Sequence, residues 1–408
     1  RRVVGAMAQR IVLTLQARPQ ERPEAGVSYR EEPRLALWRV ALQLWRDHPA
    51  LGIGLDAFQL GYPRHRSLEV WRVAGHRTPQ NAHNELLQTL ATQGAAGLLA
   101  LVSRLARADE SAAGAAAPAS RPAVALVVAG AVLLPLEWAL VLQPLRADRA
   151  ARAAQVADLS RPGEGLPWLR RAVGLDPRRD LLWSRLGVSA YSLASLLPSG
   201  SQQAAFFDES RAAFERASAL VPVNPYHHQN RARVLLEQAL ARPAAAQPGE
   251  VFAAFDQALG LDPLNPYLAV EAGRAALRLG DVARVRAAAE RCRSSDDQYG
   301  ACEWLLANLD ISAGLAPAAP GGERERLLTQ AGERLKRAAY LRWYEDDSAQ
   351  ALAASQGAAA LITVGRLQEG KELAELAVYK DPRFADARYN LGKAWERLGD
   401  RGRAAQSY

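Results

Sequence analysis

The chain has 408 residues, of which 49% are hydrophobic and 23% charged, and this composition is typical of folded protein rather than of a disordered chain. The formal net charge is +8, and residues 1–122 carry +6 of it, with 16 Arg against 10 Asp and Glu. Because these basic residues are not interleaved with aromatic residues and match no nucleic-acid-binding motif, nucleic acid is excluded as a partner.

The first predicted element is an amphipathic helix over residues 33–47, "PRLALWRVALQLWRD". Trp38 and Trp45 lie seven residues apart, on one face of this helix, and we interpret them as core residues or membrane-interface anchors. His48 and the glycines that follow it, "HPALGIG", predict a structural bend; the glycine pair is too short to form a nucleotide loop.

Residues 78–94, "TPQNAHNELLQTLATQG", place His83 between two asparagines just before an apolar stretch with helical spacing. One interpretation is purely structural, with Asn81 or Asn84 capping the free amides of a helix. The alternative is a functional site, because four of the six histidines lie within residues 48–83 and eight arginines lie between residues 30 and 77.

Residues 123–143, "AVALVVAGAVLLPLEWALVLQ", predict a transmembrane helix, since 21 nearly uninterrupted apolar residues can cross a bilayer core of ~30 Å. A weaker candidate covers residues 86–105, and residues 106–122 predict an Ala, Ser and Pro-rich linker. Arginines flank residues 123–143 on both sides, so the charge bias does not orient the segment. The alternative is a helix buried in protein, which would make the chain a soluble helical-repeat adaptor.

Residues 146–408 predict an α-solenoid, because helical periodicity is interrupted by similar turns such as "GLDPRRD", "GLDPLNPY" and "YKDPRFAD". Trp183-x-x-Leu186-Gly187 resembles the opening of the tetratricopeptide pattern, and the best copy of that pattern runs from Leu391 to Tyr408. We expect about six helical units, each closed by a turn that contains Asp-Pro.

Two pairs of residues within the repeats invite a functional interpretation. Cys292 and Cys302 have no zinc-site spacing; they could close a short disulfide loop outside the cytoplasm, but we interpret them as two separate small core residues. His227 and His228 follow a repeat turn, and we interpret them as solvated.

Residues 28–105 resemble the O-antigen ligase superfamily, which comprises polytopic membrane glycosyltransferases that include ligases, polymerases and protein O-oligosaccharyltransferases. The resemblance rests on "RLALWRVALQLWRDHPALGIGLDAFQLGYPRHR" followed by "NAHNELLQTLATQGAAG". The family has an Arg before a Trp-containing helix, then "HPxxGxG", then "HNxxLQ...G", in the same order. Several members also carry C-terminal tetratricopeptide repeats.

The resemblance implies transfer of a glycan from a polyprenyl diphosphate to an acceptor hydroxyl, with no metal or other cofactor required. The leaving diphosphate needs guanidinium groups, because their planar forks donate two hydrogen bonds to a phosphate. Arg34 matches the family's Arg before the Trp helix, and the further candidates are Arg39, Arg64 and Arg66. An alternative for Arg34 is a solvated residue beside Glu31 and Glu32.

His83 matches the family's His-Asn position, and imidazole titrates near neutral pH as a general base must. Asn81 and Asn84 are the supporting residues of this expected site. The implied partners are a polyprenyl diphosphate-linked glycan, a lipid or protein acceptor, the membrane and a protein in the groove of the repeats. The resemblance does not distinguish a ligase from a polymerase or a protein glycosyltransferase.

By this resemblance, residues 1–27 are the end of an upstream membrane region, and the chain lies in a bacterial inner membrane with its repeats outside the cytoplasm. The sequence departs from the family's pattern, because most of the family's membrane helices come before the segment that this chain matches. The chain begins without Met and stops within a repeat, so we expect a piece of a longer protein that is inactive alone. The alternative function is a membrane-anchored tetratricopeptide scaffold without catalysis.

Overall fold

A computed structural model describes residues 33–68, 71, 79–110, 142–161, 163–242, 247–317, 320–345 and 347–408. The chain divides into two compact units, Arg1–Glu137 and Trp138–Tyr408. The upstream region expected at 1–27 and nearly all of the transmembrane helix expected at 123–143 lie outside the described residues.

The described part of the first unit contains three helices. They are α1 (Pro33–Asp47), α2 (Phe58–His65) and α3 (Glu85–Glu110). Helix α1 is the predicted 15-residue helix, and its apolar stripe packs on both α2 and α3. The shared core contains Trp38, Leu44, Phe58 and Tyr62.

Helix α3 covers the weaker membrane candidate at 86–105 and continues to Glu110, into the linker expected at 106–122. It is interrupted at Gly94, whose backbone (φ 65°, ψ −163°) is not helical. Among the residues that the structure describes, none of the helices combines the length and the apolar character that crossing a membrane requires. A membrane helix at 86–105 is therefore not supported.

The described part of the second unit contains fourteen helices. They are α4 (Gln143–Ser160), α5 (Leu166–Leu175), α6 (Asp180–Leu196), α7 (Ser201–Leu220), α8 (Pro225–Ala241), α9 (Pro248–Leu261), α10 (Pro266–Leu279), α11 (Val282–Ser295), α12 (Gly300–Gly314), α13 (Gly321–Tyr340), α14 (Asp347–Thr363), α15 (Leu367–Lys380), α16 (Ala385–Arg397) and α17 (Arg401–Ser407).

These helices form a solenoid of helix pairs. Each helix packs on the next along the chain, and the first helices of successive pairs, from α6 to α16, also contact one another. The all-α class and the repeat architecture are thus confirmed for the described residues, with seven helix pairs in place of about six units.

The turn sequences explain where the helices begin and why paired helices come close. The Asn265 side chain accepts a hydrogen bond from the amide of Leu268, and Pro266 occupies the first helical position, where its missing N–H is not needed. In α6, a Cβ atom at Gly187 would lie 2.8 Å from the Phe214 ring, so glycine lets α6 and α7 approach without displacing that ring.

His227 and His228 are buried rather than solvated, so that interpretation was wrong. Asn224 caps α8 one residue before its Pro225 start, and this puts both histidines inside the first helical turn, against the preceding pair. His227 Nε2 lies 2.7 Å from Asp180 Oδ2 at the start of α6, and His228 Nε2 lies 2.8 Å from the carbonyl oxygen of Pro222.

Cys292 and Cys302 are joined by a disulfide, so the interpretation as two separate core residues was also wrong. Cys292 lies in the last turns of α11 and Cys302 in the first turn of α12, and both are buried. The tight turn between these two helices brings the sulfur atoms together across ten residues of sequence.

Candidate functional site

The residues expected to carry chemistry lie around one turn, residues 81–84, which precedes α3. Trp38 on α1 pins this turn, because its indole Nε1 donates a buried hydrogen bond to the carbonyl oxygen of Ala82 at 3.2 Å. The Ala82 amide in turn donates to Oε1 of Gln88 at 2.8 Å, inside α3. The turn is therefore fixed from both neighbouring helices.

The two asparagines hold the backbone of this turn. Asn84 is the N-cap of α3, with its Oδ1 accepting from the amides of Leu86 (3.1 Å) and Leu87 (3.2 Å). Asn81 Oδ1 accepts from the amide of His83 at 3.1 Å. Both asparagine side chains therefore accept hydrogen bonds from backbone amides, as the structural interpretation expects. These bonds shape the backbone around His83.

His83 itself lies outside the helix, because α3 begins at Glu85. Its φ of 50° lies in the left-handed region, which only a minority of residues other than glycine adopt. The backbone on both sides is hydrogen-bonded, while the imidazole is exposed to solvent. An exposed imidazole on a fixed backbone is accessible to a bound molecule and can form a hydrogen bond with it.

A second interlock joins the "HPALGIG" bend to α3. In a regular helix the amides of residues 95 and 96 would bond to the carbonyls of residues 91 and 92, but the break at Gly94 frees all four groups. The bend satisfies each of them. The four bonds join Ala95 N to Pro49 O (2.9 Å), Ala96 N to Ala50 O (3.2 Å), Ile53 N to Ala91 O (3.0 Å) and Gly54 N to Thr92 O (2.9 Å).

Two glycines make this interlock possible. A Cβ atom at Gly52 would lie 2.3 Å from the Thr92 backbone carbon, and one at Gly94 would lie 2.4 Å from the Ala50 backbone carbon. Both glycines also have positive φ, 67° and 65°. One backbone contact thus requires a glycine from each of the two sequence motifs, and the sequence alone did not predict this contact.

The candidate arginines do not all lie in one place. Arg34 lies in α1 four residues before Trp38, and its side chain is outside the described part. Arg39 is exposed on α1 next to Trp38, and Arg64 is exposed near the end of α2. Arg66 is buried, with its guanidinium carbon 4.0 Å from the centre of the Trp71 ring.

Arg39 follows Trp38 in the chain and His83 follows Ala82, so each is next to one end of the Trp38–Ala82 hydrogen bond. Arg34 lies one helical turn away from Trp38, so α1 presents two arginine positions next to the residue that fixes the His83 turn. Arg66 instead packs beside Tyr62, whose pKa is raised by burial and held back by the Arg66 charge. This burial suits Arg66 to packing better than to binding a phosphate.

A pair that the sequence did not indicate joins the ends of α1 and α2, Asp47 and His65. His65 Nε2 lies 3.2 Å from Asp47 Oδ2. Burial lowers the pKa of His65, the neighbouring Arg64 and His48 lower it further, and Asp47 opposes them. Among the described residues, no group of three or more His, Cys, Asp or Glu side chains could hold a metal ion.

Comparison with protein families matches residues 6–102 to the family described as O-antigen ligase. The resemblance expected from the two motifs is confirmed, and the match begins earlier than residue 28, where the motifs begin. All of the residues discussed around the His83 turn fall inside it. No curated protein matches the chain significantly.

Several solved structures are similar to the chain at low sequence identity. The yeast Tom70 structure shares 15% identity over 65% of this chain and 49% of its own, with a TM-score of 0.45, so the match spans about half of that protein. A tetratricopeptide repeat protein from Parabacteroides merdae shares 13% identity over 64% of this chain and 91% of its own, with a TM-score of 0.42. YrrB, described as a TPR protein with an unusual peptide-binding site, shares 20% identity over 48% of this chain and 89% of its own, with a TM-score of 0.32.

Proposed function

We propose that the chain is part of a glycosyltransferase that moves a glycan from a polyprenyl diphosphate to an acceptor hydroxyl. The observation that carries the proposal is the O-antigen ligase match over residues 6–102, together with the exposed His83 on a turn inside that match. His83 is the proposed general base, and Arg34 and Arg39 are the proposed diphosphate ligands, with Arg64 as a weaker candidate.

In the proposed reaction, an imidazole nitrogen of His83 takes the proton of the acceptor hydroxyl. The acceptor oxygen bonds to the anomeric carbon of the donor sugar, and the bond from that carbon to the diphosphate oxygen breaks. The electron pair leaves with the diphosphate, whose negative charge the guanidinium groups stabilise. A positioned general base contributes about 10²–10⁴-fold to such a rate.

The proposed location is a bacterial inner membrane, with the repeats outside the cytoplasm. The Cys292–Cys302 disulfide supports this location, because disulfides persist in oxidising compartments and are rare in the cytosol. There the repeats would recruit a lipid or protein acceptor, or an assembly partner, through the face that the first helices of successive pairs form.

The test uses the complete gene product that contains this chain, in a host that supplies lipid-linked glycan. Wild type is compared with Arg34→Ala, His83→Ala and His83→Asn by blotting for transferred glycan at equal expression. Asn tolerates positive φ, so His83→Asn removes the base and keeps the shape of the turn. We expect transfer to fall about 10²–10⁴-fold in both His83 variants.

The matched control is His48→Ala, because His48 is also an exposed histidine next to a bend but has no proposed catalytic role. We expect it to transfer glycan as wild type does. If His83→Asn transfers glycan normally, the role of His83 is wrong. If wild type transfers no glycan to any lipid or protein acceptor, the non-catalytic tetratricopeptide scaffold replaces the enzyme as the better explanation.

A further inference from the structure

The solvent-exposed face of α4 has an unusual composition. Its opposite face packs into the first repeat through alanines, among them Ala147, Ala151 and Ala154. The exposed face follows one stripe at helical spacing, and its large side chains are apolar or basic except for the neutral Gln155. This stripe, called here the α4 stripe, consists of Leu142, Leu145, Arg146, Arg149, Arg152, Val156 and Leu159.

The apolar members of the α4 stripe are strongly exposed. Leu159 is 83% exposed and Val156 66%, while Leu142 and Leu145 are 42% and 51% exposed. Terminal helices of a solenoid normally present a polar outer face, because no further repeat covers them. These exposed apolar residues, three on α4 and Leu142 at its N-cap, therefore indicate a contact outside the solenoid.

The charges of the α4 stripe are all positive. Arg149 and Arg152 form no ion pair with any residue that the structure describes. The two acidic residues of α4 are used elsewhere. Asp148 pairs with Arg179 at 2.9 Å, and Asp158 accepts from the amides of Gly163 (3.1 Å) and Gly165 (2.8 Å). An occupant of the stripe must combine apolar material with negative charge.

We propose that the α4 stripe lies on the surface of an anionic lipid bilayer, with its arginines at the phosphates and its apolar side chains among the acyl chains near the headgroups. An interfacial helix needs apolar residues and Lys or Arg on its exposed side, as here. The 18 residues of α4 span about 27 Å, which is long enough for such a contact. In sequence, the helix directly follows the apolar run at 123–141.

A second copy of the chain suits the α4 stripe less well. In a two-fold symmetric contact the same surface faces itself, so the central arginines of two stripes would lie close together, and the neighbouring carboxylate of Asp148 is already paired with Arg179. An anionic bilayer has the opposite charge at every position along the stripe. The proposal does not depend on glycan transfer, because it concerns only the contact between the repeat unit and lipid.

The test uses the full chain bound to vesicles of phosphatidylcholine, with or without phosphatidylglycerol. Leu159→Cys carries an environment-sensitive nitrobenzoxadiazole label, and a nitroxide on the lipid acyl chains quenches it on contact. The native cysteines are disulfide-bonded and buried, so the label goes to the new thiol. The control position is Tyr379→Cys in α15, because Tyr379 is 79% exposed.

We expect strong quenching at position 159 in vesicles with phosphatidylglycerol and none at position 379. Adding Arg149→Glu and Arg152→Glu should reduce quenching at position 159 to the level of position 379, whereas Arg149→Lys and Arg152→Lys should preserve it. Equal quenching in neutral vesicles, equal quenching at position 379, or binding without quenching at position 159 would overturn the proposal. Label shielding that rises with protein concentration in the absence of lipid would assign the stripe to a second copy instead.

Discussion

The described parts of the two units reach stability in different ways. Around the His83 turn, the contacts join irregular segments of backbone. For example, four backbone hydrogen bonds connect the bend at residues 49–54 to the interrupted helix α3. In the repeats, the contacts join regular helices through small residues, and capping side chains such as Asp281 satisfy the helix ends. The repeats spread their packing over many similar contacts, while the irregular contact depends on a few residues without substitutes.

The strongest test of this contrast exchanges glycine for alanine in each unit. Gly52→Ala places a Cβ atom 2.3 Å from backbone and requires a left-handed alanine. Overpacking and such a backbone each cost about 1–3 kcal/mol. We expect hydrogen exchange across residues 79–110 to accelerate sharply. In the repeats, Gly174→Ala meets no atom within 4 Å inside a helix and should stabilise it by about 0.5–1 kcal/mol. Equal effects of the two substitutions would remove the contrast.

The disulfide is the one covalent constraint in the described repeats, and its loss should have the next largest effect. Closing a loop of about ten residues stabilises a fold by about 2–3 kcal/mol. The loop also contains Asp296, which is buried and accepts hydrogen bonds from Arg342 (3.1 Å) and Tyr344. Urea unfolding of oxidised and reduced protein should differ by that amount, with faster hydrogen exchange at residues 341–345.

The control for this prediction is the double variant Cys292→Ser and Cys302→Ser. Its unfolding should match that of the reduced wild type and should not respond to reductant. An unchanged unfolding midpoint on reduction of the wild type would mean that the helix contacts alone hold this turn, as in the other repeats.

The pair formed by half-buried Asp180 and buried His227 links two successive repeats, and its contribution to stability should depend on pH. The hydrogen bond from His227 lowers the pKa of Asp180 below its ordinary value of 3.8. A group with a lowered folded-state pKa stabilises the fold above its unfolded-state pKa, and this stabilisation is lost as the pH falls through the folded-state value. Asp180→Asn should therefore cost about 1.5–3 kcal/mol at neutral pH and much less once the pH lies below the lowered folded-state pKa of Asp180.

The matched control is Asp256→Asn, which removes the exposed partner of Arg284 at 3.2 Å. We expect it to change the free energy of unfolding by about 0–1 kcal/mol, because exposed ion pairs are screened by solvent. Urea titrations of both variants at neutral and acidic pH measure the difference. A loss for Asp180→Asn that is the same at both pH values would exclude the ionised carboxylate of Asp180 as its cause.

The two regions also differ in what their sequences reveal. The repeats can be predicted from the sequence because their signals recur. Helical periodicity, Asn-Pro or Asp-Pro turns and small residues return with each unit. Helix α1 is equally predictable from its apolar stripe. The seventh pair and the burial of His227 and His228 were missed, because a histidine after a turn looks polar until the position of the cap places it inside the helix.

The geometry around the His83 turn is harder to predict from the sequence, because it depends on single long-range contacts. The sequence identified His83, but nothing local indicates that Trp38 bonds to the carbonyl of Ala82, 44 residues away. The one available signal was Gly94, because a glycine within an apolar helical pattern destabilises a helix and weakens the prediction of a continuous one. The burial of Arg66 under Trp71 has no such signal, because charge and composition alone favour an exposed arginine.

The smallest predicted effect separates structure from chemistry at the His83 turn. Asn84→Ala removes the cap of α3 and Asp281→Ala removes that of α11, and each should cost about 1 kcal/mol in the free energy of unfolding. Only the first should also reduce glycan transfer, about fivefold, since a shifted turn misplaces the imidazole of His83. Asn84→Asp retains an oxygen acceptor for the amides of Leu86 and Leu87 and should restore both quantities. If Asp restores stability without restoring transfer, then the amide of Asn84 contacts substrate, and its role exceeds that of a helix cap.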